Sequence, residues 1–330
     1  MRAFRIHNEQ DQVGGRLEDI DRPECEEGGV LIRVSHSSIN YKDALAATGA
    51  APIIREFPRI GGIDLAGEIA ASRDDRFREG DAILVTGYGL GESRDGGYAE
   101  YAAVPGDLVV PRPAGLDAAA AMALGTAGFT AALAVQRLQQ VDIEPARGKV
   151  LVTGASGGVG SLAIDMLAGL GYEVAALTGK AGDAGAVGFL REIGAGEIVD
   201  RTALELDGKR PLEKGLWAAA VDGVGGDVLG WLTRTVNPWG AIASYGLAGG
   251  VAFRATVMPF IVRGVALLGV DSVQCPMAIR APLWARLAGD LAPQHLPRIA
   301  RTVPLDALPQ YFDDFLQGSV QGRTVVEIGD

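Results

Sequence analysis

Residues 149–160 constrain this chain more than any other stretch. They read Lys149-Val-Leu-Val-Thr-Gly-Ala-Ser-Gly-Gly-Val-Gly160. The apolar run from Val150 to Thr153 reads as a short buried strand. The glycine turn after it opens a segment in which Leu162, Met166 and Leu170 fall on one helical face. Strand, glycine turn and helix, in that order, form the context in which a glycine motif binds a dinucleotide. Ala155, Gly157 and Gly160 take the three fingerprint positions. The middle glycine lets backbone approach a pyrophosphate, and the last lets the helix pack close to the strand. The helix start then offers free N–H groups and a positive dipole end to phosphates. The chain has 47 glycines, and glycine is also the ordinary residue of turns. The flanking strand and helix therefore carry the argument.

The next strand candidate, 173–178, ends in Thr178-Gly179-Lys180. An NAD site places Asp or Glu here, to bind the ribose 2′-hydroxyl. This chain has no carboxylate at that point to repel a 2′-phosphate, and it has a hydroxyl and an ammonium to bind one. Arg201, after the third strand candidate (197–200), is a second cation for the same group. NADPH is favoured over NADH.

A chain of 330 residues suits two domains. A formal charge of −11 argues against nucleic acid as a partner. Cys25 and Cys275 are too few for a disulfide framework or a four-cysteine zinc lobe. His7, His36 and His295 are scattered without ligand spacing, so no metal site is expected. The N-terminus is strand-like, with no apolar signal region, and no stretch of 18 apolar residues without charge is expected. A soluble cytoplasmic protein with no membrane partner is the expectation.

Residues 1–20 read as a β-hairpin that turns over 11–15. A strand follows at 29–36, the three-glycine segment 59–70 turns into a strand, another strand reads at 80–86, and 95–104 gives a turn followed by a further strand, so the first ~110 residues follow an all-β pattern. Composition changes near Leu116. Asp117 caps an alanine-rich helix, and a second helix reads from 129 to 140. From 149 the pattern alternates strand and helix, with strand candidates at 150–153, 173–178, 197–199, 219–222, 241–245 and 266–269. That spacing predicts a doubly wound parallel sheet. Gly223-Val-Gly-Gly226 and Gly246-Leu-Ala-Gly-Gly250 follow two of those strands, where they serve either as plain turns or as ligand loops. A helical region reads at 277–291, and a closing strand at 323–328 returns to the first domain, since the parallel sheet is already complete.

This α/β organisation resembles the medium-chain dehydrogenase/reductase superfamily, with a GroES-like β-rich catalytic domain (1–124, completed by 271–330) and a Rossmann NADPH-binding domain (125–270). Within it the chain resembles the zinc-independent quinone-oxidoreductase-like branch, and most closely the NADPH-dependent acrylyl-CoA reductases. Seven segments carry that likeness: Ser38-Ile-Asn-Tyr-Lys-Asp-Ala-Leu45, Gly62-Ile-Asp-Leu-Ala-Gly67, Thr178-Gly-Lys180, Gly246-Leu-Ala-Gly-Gly250, Val257-Met-Pro-Phe-Ile261, Gly269-Val-Asp-Ser-Val273 and Gln321-Gly-Arg323. Zinc-dependent relatives place Cys where Asn40 stands, and Gly-His-Glu where Gly62-Ile-Asp64 stands.

The resemblance implies NADPH contacts at Tyr41, Ser156, Gly157, Gly158, Val159, Thr178, Gly179, Lys180, Arg201, Leu247, Ile261, Ser272 and Gln321. Lys180 stands where the subfamily has Arg, so it pairs with phosphate as a point charge and without the bidentate fork. The implied reaction is NADPH-dependent reduction of acryloyl-CoA to propanoyl-CoA. Tyr41 would orient the nicotinamide or donate the proton. Asn40 stands beside it, and Asp64 would fix the loop. Arg323 binds a phosphate or pairs with an acid, and Arg263, Arg280 and Arg286 are the cations on hand for CoA phosphates. The alternatives are an NADPH:quinone oxidoreductase, a broad alkenal reductase, or a non-catalytic NADPH-sensing protein. The family implies a homodimer.

Overall fold

The computed structural model describes residues 1–208 and 210–329. The chain forms two compact units. One comprises Met1–Ala127, Ser272–Ala288 and Ala300–Asp330, the other Gly128–Asp271 and Gly289–Ile299. Residues 289–299 therefore go with the second unit, although the sequence pattern groups them with the first. The reason is a buried carboxylate. Asp165 accepts the backbone N–H groups of Gln294 at 3.2 Å and His295 at 2.8 Å, and lies 3.1 Å from His295 Nδ1.

The first unit opens with β1 (Arg2–Glu9) and β2 (Gln12–Asp19). They pair with Glu9 opposite Gln12, so the turn is the two residues Gln10 and Asp11, both at positive φ. The expected turn over 11–15 is corrected: Gly14 and Gly15 lie within β2. A Cβ on Gly15 would sit 2.3 Å from the Phe4 ring, so the second glycine serves packing.

There follow β3 (Gly29–Ile39), α1 (Tyr41–Thr48), β4 (Arg59–Ile60), β5 (Asp64–Ser72), β6 (Ala82–Thr86), β7 (Tyr101–Pro105) and β8 (Val110–Pro111). Then α2 (Ala118–Gln139) begins, with Ala120 N–H donating to the Asp117 carboxylate at 2.7 Å, as the capping argument requires. At Gly125 (φ 50°, ψ −153°) α2 breaks into two helical pieces. By length and composition α2 is apolar enough to cross a membrane, which corrects the expectation that no such stretch exists. Its apolar window is 78% buried inside the protein.

The second unit holds β9 (Val150–Thr153), α3 (Gly158–Gly169), β10 (Val174–Thr178), α4 (Ala184–Glu192), β11 (Glu197–Asp200), β12 (Trp217–Asp222), α5 (Gly226–Thr235), β13 (Val236–Ser244), α6 (Met258–Arg263) and β14 (Ala266–Gly269). Every strand pair in it is parallel, in the order β11-β10-β9-β12-β13-β14. This is the doubly wound arrangement that the alternating pattern predicts, with its switch point between β9 and β12. The core over one face gathers Leu151, Ala175, Trp217, Trp231 and Ile242.

The chain ends with α7 (Met277–Leu287), α8 (Leu296–Ile299), β15 (Ala300–Pro304), α9 (Leu308–Leu316) and β16 (Arg323–Glu327). The closing strand returns to the first unit as expected. β16 pairs antiparallel with β3, Thr324 opposite Ile39, in a sheet ordered β15-β16-β3-β5-β6-β8, with β7 also on β3. Phe4, Tyr98 and Phe312 pack edge-on and tilted against one another in this unit's core.

Candidate functional site

In the second unit the candidate residues gather at the carboxyl ends of the strands. Gly154 (φ 58°) follows β9 directly, and Gly157 precedes α3 in extended backbone without a side-chain cap. A Cβ on Gly160 would lie 2.4 Å from the Gly154 carbonyl oxygen, so α3 can begin this close to β9 only with glycine there. Ser156, Gly157, Gly158 and Val159 are half-buried around that turn. The uncapped first N–H groups of α3 form an anion cradle of the kind a pyrophosphate fills.

One strand over, Thr178 pairs with Asp200, so Gly179 and Arg201 become neighbours at the strand ends. The Arg201 guanidinium lies over Gly179, 3.2 Å from where a Cβ would stand. The Thr178 hydroxyl accepts the Lys180 N–H at 3.0 Å and shapes this turn. The nearby acid is turned aside: Asp200 accepts the Thr202 N–H and hydroxyl, each at 2.8 Å, and these bonds hold its carboxyl below the usual range. What faces outward is an exposed guanidinium beside a lysine turn, which fits a 2′-phosphate.

The two later glycine loops prove to be packed against each other. Gly249 N–H donates to Val224 O at 2.7 Å and Tyr245 N–H to Asp222 O at 2.9 Å. Added Cβ atoms at Gly225, Gly226 and Gly246 would meet opposing carbonyl oxygens at 2.8, 2.8 and 2.5 Å. Leu247 is 61% exposed on the second loop, and Ile261 is 72% exposed on α6.

In the first unit a buried polar network surrounds the start of α1. Asn40 precedes the helix, and Asp43 accepts the Asn40 N–H at 2.9 Å, the carboxylate half of a capping box. Asp64 accepts from the Ser38 hydroxyl at 2.6 Å, Asn40 Nδ2 at 2.8 Å, and both the N–H and the hydroxyl of Thr126. Arg323 is buried, with Nη2 3.9 Å from the Asp64 carboxylate. It donates to Asn40 Oδ1 at 3.1 Å, Ser38 Oγ at 2.8 Å, and the carbonyls of Ile39 and Ala123. Gly125 passes through the middle: a Cβ there would be 2.6 Å from Asp64, 2.8 Å from Arg323 and 2.9 Å from Ser38. Burial, and then the Asp64 charge, push the Asp43 carboxyl up to about 7. The buried Tyr98 phenol is raised well above its ordinary value by burial first, then by Asp43 and Asp64.

The structure thus joins Asn40 to Asp64, with both ends of the Asn40 amide engaged. Tyr41, on the first turn of α1, is 52% exposed. Of the two readings of Arg323, pairing with an acid holds, and a buried guanidinium already so occupied has no place for a phosphate. Two CoA candidates are corrected likewise. Arg280 is buried, bonded to Thr86 and to the carbonyls of Ser272 and Val273, so it fixes the backbone at Ser272. Arg263 donates to the carbonyls of Arg234, Val236 and Glu213. Arg286 is half-buried on α7, and Gln321 is half-buried just before β16. Sequence reading missed Ser38, Tyr98 and Thr126. The Asn40–Asp43 spacing was the one local signal of this network. Among the described residues no three His, Cys, Asp or Glu side chains gather as a metal site.

Known proteins resemble this chain along its whole length. The family described as alcohol dehydrogenase GroES-like domain matches residues 26–114. YhfP of Bacillus subtilis, named as a quinone oxidoreductase, is 46% identical over 327 residues, 99% of this chain and 98% of that one. The acrylyl-CoA reductase AcuI of Ruegeria pomeroyi is 46% identical over 301 residues, 91% of this chain and 90% of that one. The crystal structure of the YhdH oxidoreductase from Salmonella enterica in complex with NADP superposes with a TM-score of 0.95, at 46% identity, covering 100% of both chains.

Proposed function

Because the chain belongs to the medium-chain dehydrogenase/reductase superfamily, in the branch of acrylyl-CoA reductases and quinone-oxidoreductase-like proteins, we propose that it reduces the carbon–carbon double bond of acryloyl-CoA to propanoyl-CoA with NADPH. The observation that carries the reading is the 46% identity to AcuI over 91% of the chain. The strand-end geometry supports the cofactor. Bound NADPH supplies the hydride and leaves as NADP⁺. The backbone around Ser156, Gly157, Gly158 and Val159 binds the pyrophosphate, and Thr178, Gly179, Lys180 and Arg201 take the 2′-phosphate. Leu247, Ile261, Ser272 and Gln321 complete the contacts in this reading.

The hydride adds to the β-carbon, and negative charge develops on the thioester oxygen. Donors aimed at that oxygen lower the barrier. The α-carbon then takes a proton. We assign that proton to Tyr41, the one exposed side chain of the three candidates. Asn40 and Asp64 act through position: their network with Arg323 fixes the residue before α1 and hence the place of Tyr41. The reading is zinc-independent, since the buried Arg323 guanidinium already brings a positive charge to Asn40 and Asp64. It includes a homodimer paired along β14, one of the two edge strands of its sheet, where Leu267 is exposed.

A second reading, NADPH:quinone oxidoreductase, is favoured by the 46% identity to YhfP. Consumption of NADPH with acryloyl-CoA, crotonyl-CoA and a simple quinone, with NADH as control, separates the two. Turnover of acryloyl-CoA and retention of the NADPH preference until Arg201 is changed to Ala is the expected result. Turnover of the quinone alone overturns the CoA reading and leaves the second.

A further inference from the structure

Tyr245 follows β13 directly, at the carboxyl end of the fifth strand of the parallel sheet. Its backbone is fixed by the bond from its N–H to Asp222 O at 2.9 Å. Its ring lies flat against Gly223: a Cβ there would be 2.4 Å from the Tyr245 hydroxyl oxygen and 2.5 Å from the ring carbon that bears it. Gly223, having no Cβ, leaves the space that the Tyr245 ring occupies. Neighbouring polar groups are already matched to one another. The Thr153 hydroxyl donates to Asp222 at 2.7 Å and accepts the Gly223 N–H at 3.0 Å, and Asp222 also accepts the N–H groups of Val224 and Gly225, each at 3.1 Å. The Tyr245 hydroxyl has no hydrogen bond among the described residues, though the residue is half-buried.

A phenol packed on Gly223 at the strand ends, with its hydroxyl unpaired within the protein and open to solvent, is placed to meet a ligand. Its position says which part of the ligand. In a doubly wound sheet of two mononucleotide-binding halves, a dinucleotide straddles the switch point. Here the switch lies between β9 and β12, and the 2′-phosphate residues stand on the β10–β11 side. Tyr245, beyond β12, belongs to the other half. We propose that the Tyr245 hydroxyl donates a hydrogen bond to an oxygen of the nicotinamide nucleotide half of the bound cofactor and positions that half. This rests on the dinucleotide reading above. Burial, with the Asp222 charge adding to it, raises the Tyr245 phenol above its ordinary value, so the group acts as a donor and not as a base.

Tyr245→Phe keeps the ring against Gly223 and removes only the hydroxyl. Binding is read from the fluorescence of NADPH and NADH on mixing with the protein, and by calorimetry for 2′,5′-ADP, which carries the adenosine half alone. The variant should weaken NADPH and NADH by the same factor, roughly 3- to 10-fold, the worth of one neutral hydrogen bond. It should leave 2′,5′-ADP unchanged. Unaltered NADPH binding overturns the proposal, and so does equal weakening of 2′,5′-ADP, which marks a general effect on the fold. A wild-type protein that binds none of the three nucleotides instead overturns the dinucleotide reading itself.

Discussion

Changing Arg323 to Met tests whether the network around α1 holds the first unit together. The native guanidinium donates to Ala123 O at 3.0 Å, Ile39 O at 3.2 Å, Asn40 Oδ1 at 3.1 Å, Ser38 Oγ at 2.8 Å and Met122 O at 3.4 Å, all in the interior. Methionine fills much of the same space, so the cavity term is small. The loss lies in the acceptors left behind. Each buried acceptor without a donor costs about 1–3 kcal/mol. Asp64 also loses its counter-charge, but it keeps the donors from Ser38, Asn40 and Thr126, which limits its share. The expected cost is about 3–5 kcal/mol, the usual range for breaking a buried ion pair from one side. Urea unfolding followed by far-ultraviolet circular dichroism reads this as a fall in midpoint of roughly 2 M for a slope near 2 kcal/mol per M. Arg323→Lys restores the charge but offers one nitrogen to acceptors spread over three, so it should fall between the two. An unfolding free energy unchanged within about 0.5 kcal/mol for Arg323→Met would refute the argument that this guanidinium is the keystone of the network.

Two further changes probe each unit separately. Gly160→Ala places a Cβ 2.4 Å from the Gly154 carbonyl. The phosphate turn must open, and NADPH binding should weaken about tenfold or more while circular dichroism shows the helices retained. Asp43 gives a pH signature. Its carboxyl stands at about 7 in the folded protein against an ordinary 3.8, so between those values the folded state binds more protons than the unfolded. Its contribution to stability is full below the lower value and is lost as pH rises through the upper, by up to roughly 4 kcal/mol. The difference in unfolding midpoint between wild type and Asp43→Asn, measured at about pH 5 and about pH 8, should shift against the wild type at the higher pH. A difference constant with pH would contradict it.

The parts of this protein written in short stretches were legible from the chain. The alternation of apolar runs with helical faces after residue 149 fixed the parallel sheet, because period and spacing are local properties. The turn at Gly160 and the acid-free end at Lys180 were readable for the same reason. The hairpin turn was misplaced because Gln10 and Asp11, not the glycines beside them, take the positive φ angles. Nothing local showed that Ser38, Asp64, Thr126 and Arg323 meet, since Ser38 and Arg323 stand 285 residues apart. Arg280 shows the opposite error. An arginine read in isolation looks like a surface cation, yet here it is buried on Thr86 and the carbonyls of residues 272 and 273. A side chain's type limits what it can bond. Only the folded backbone decides whether water, a ligand or a buried carbonyl receives that bond, because the cost of leaving a buried polar group unpaired is paid in three dimensions.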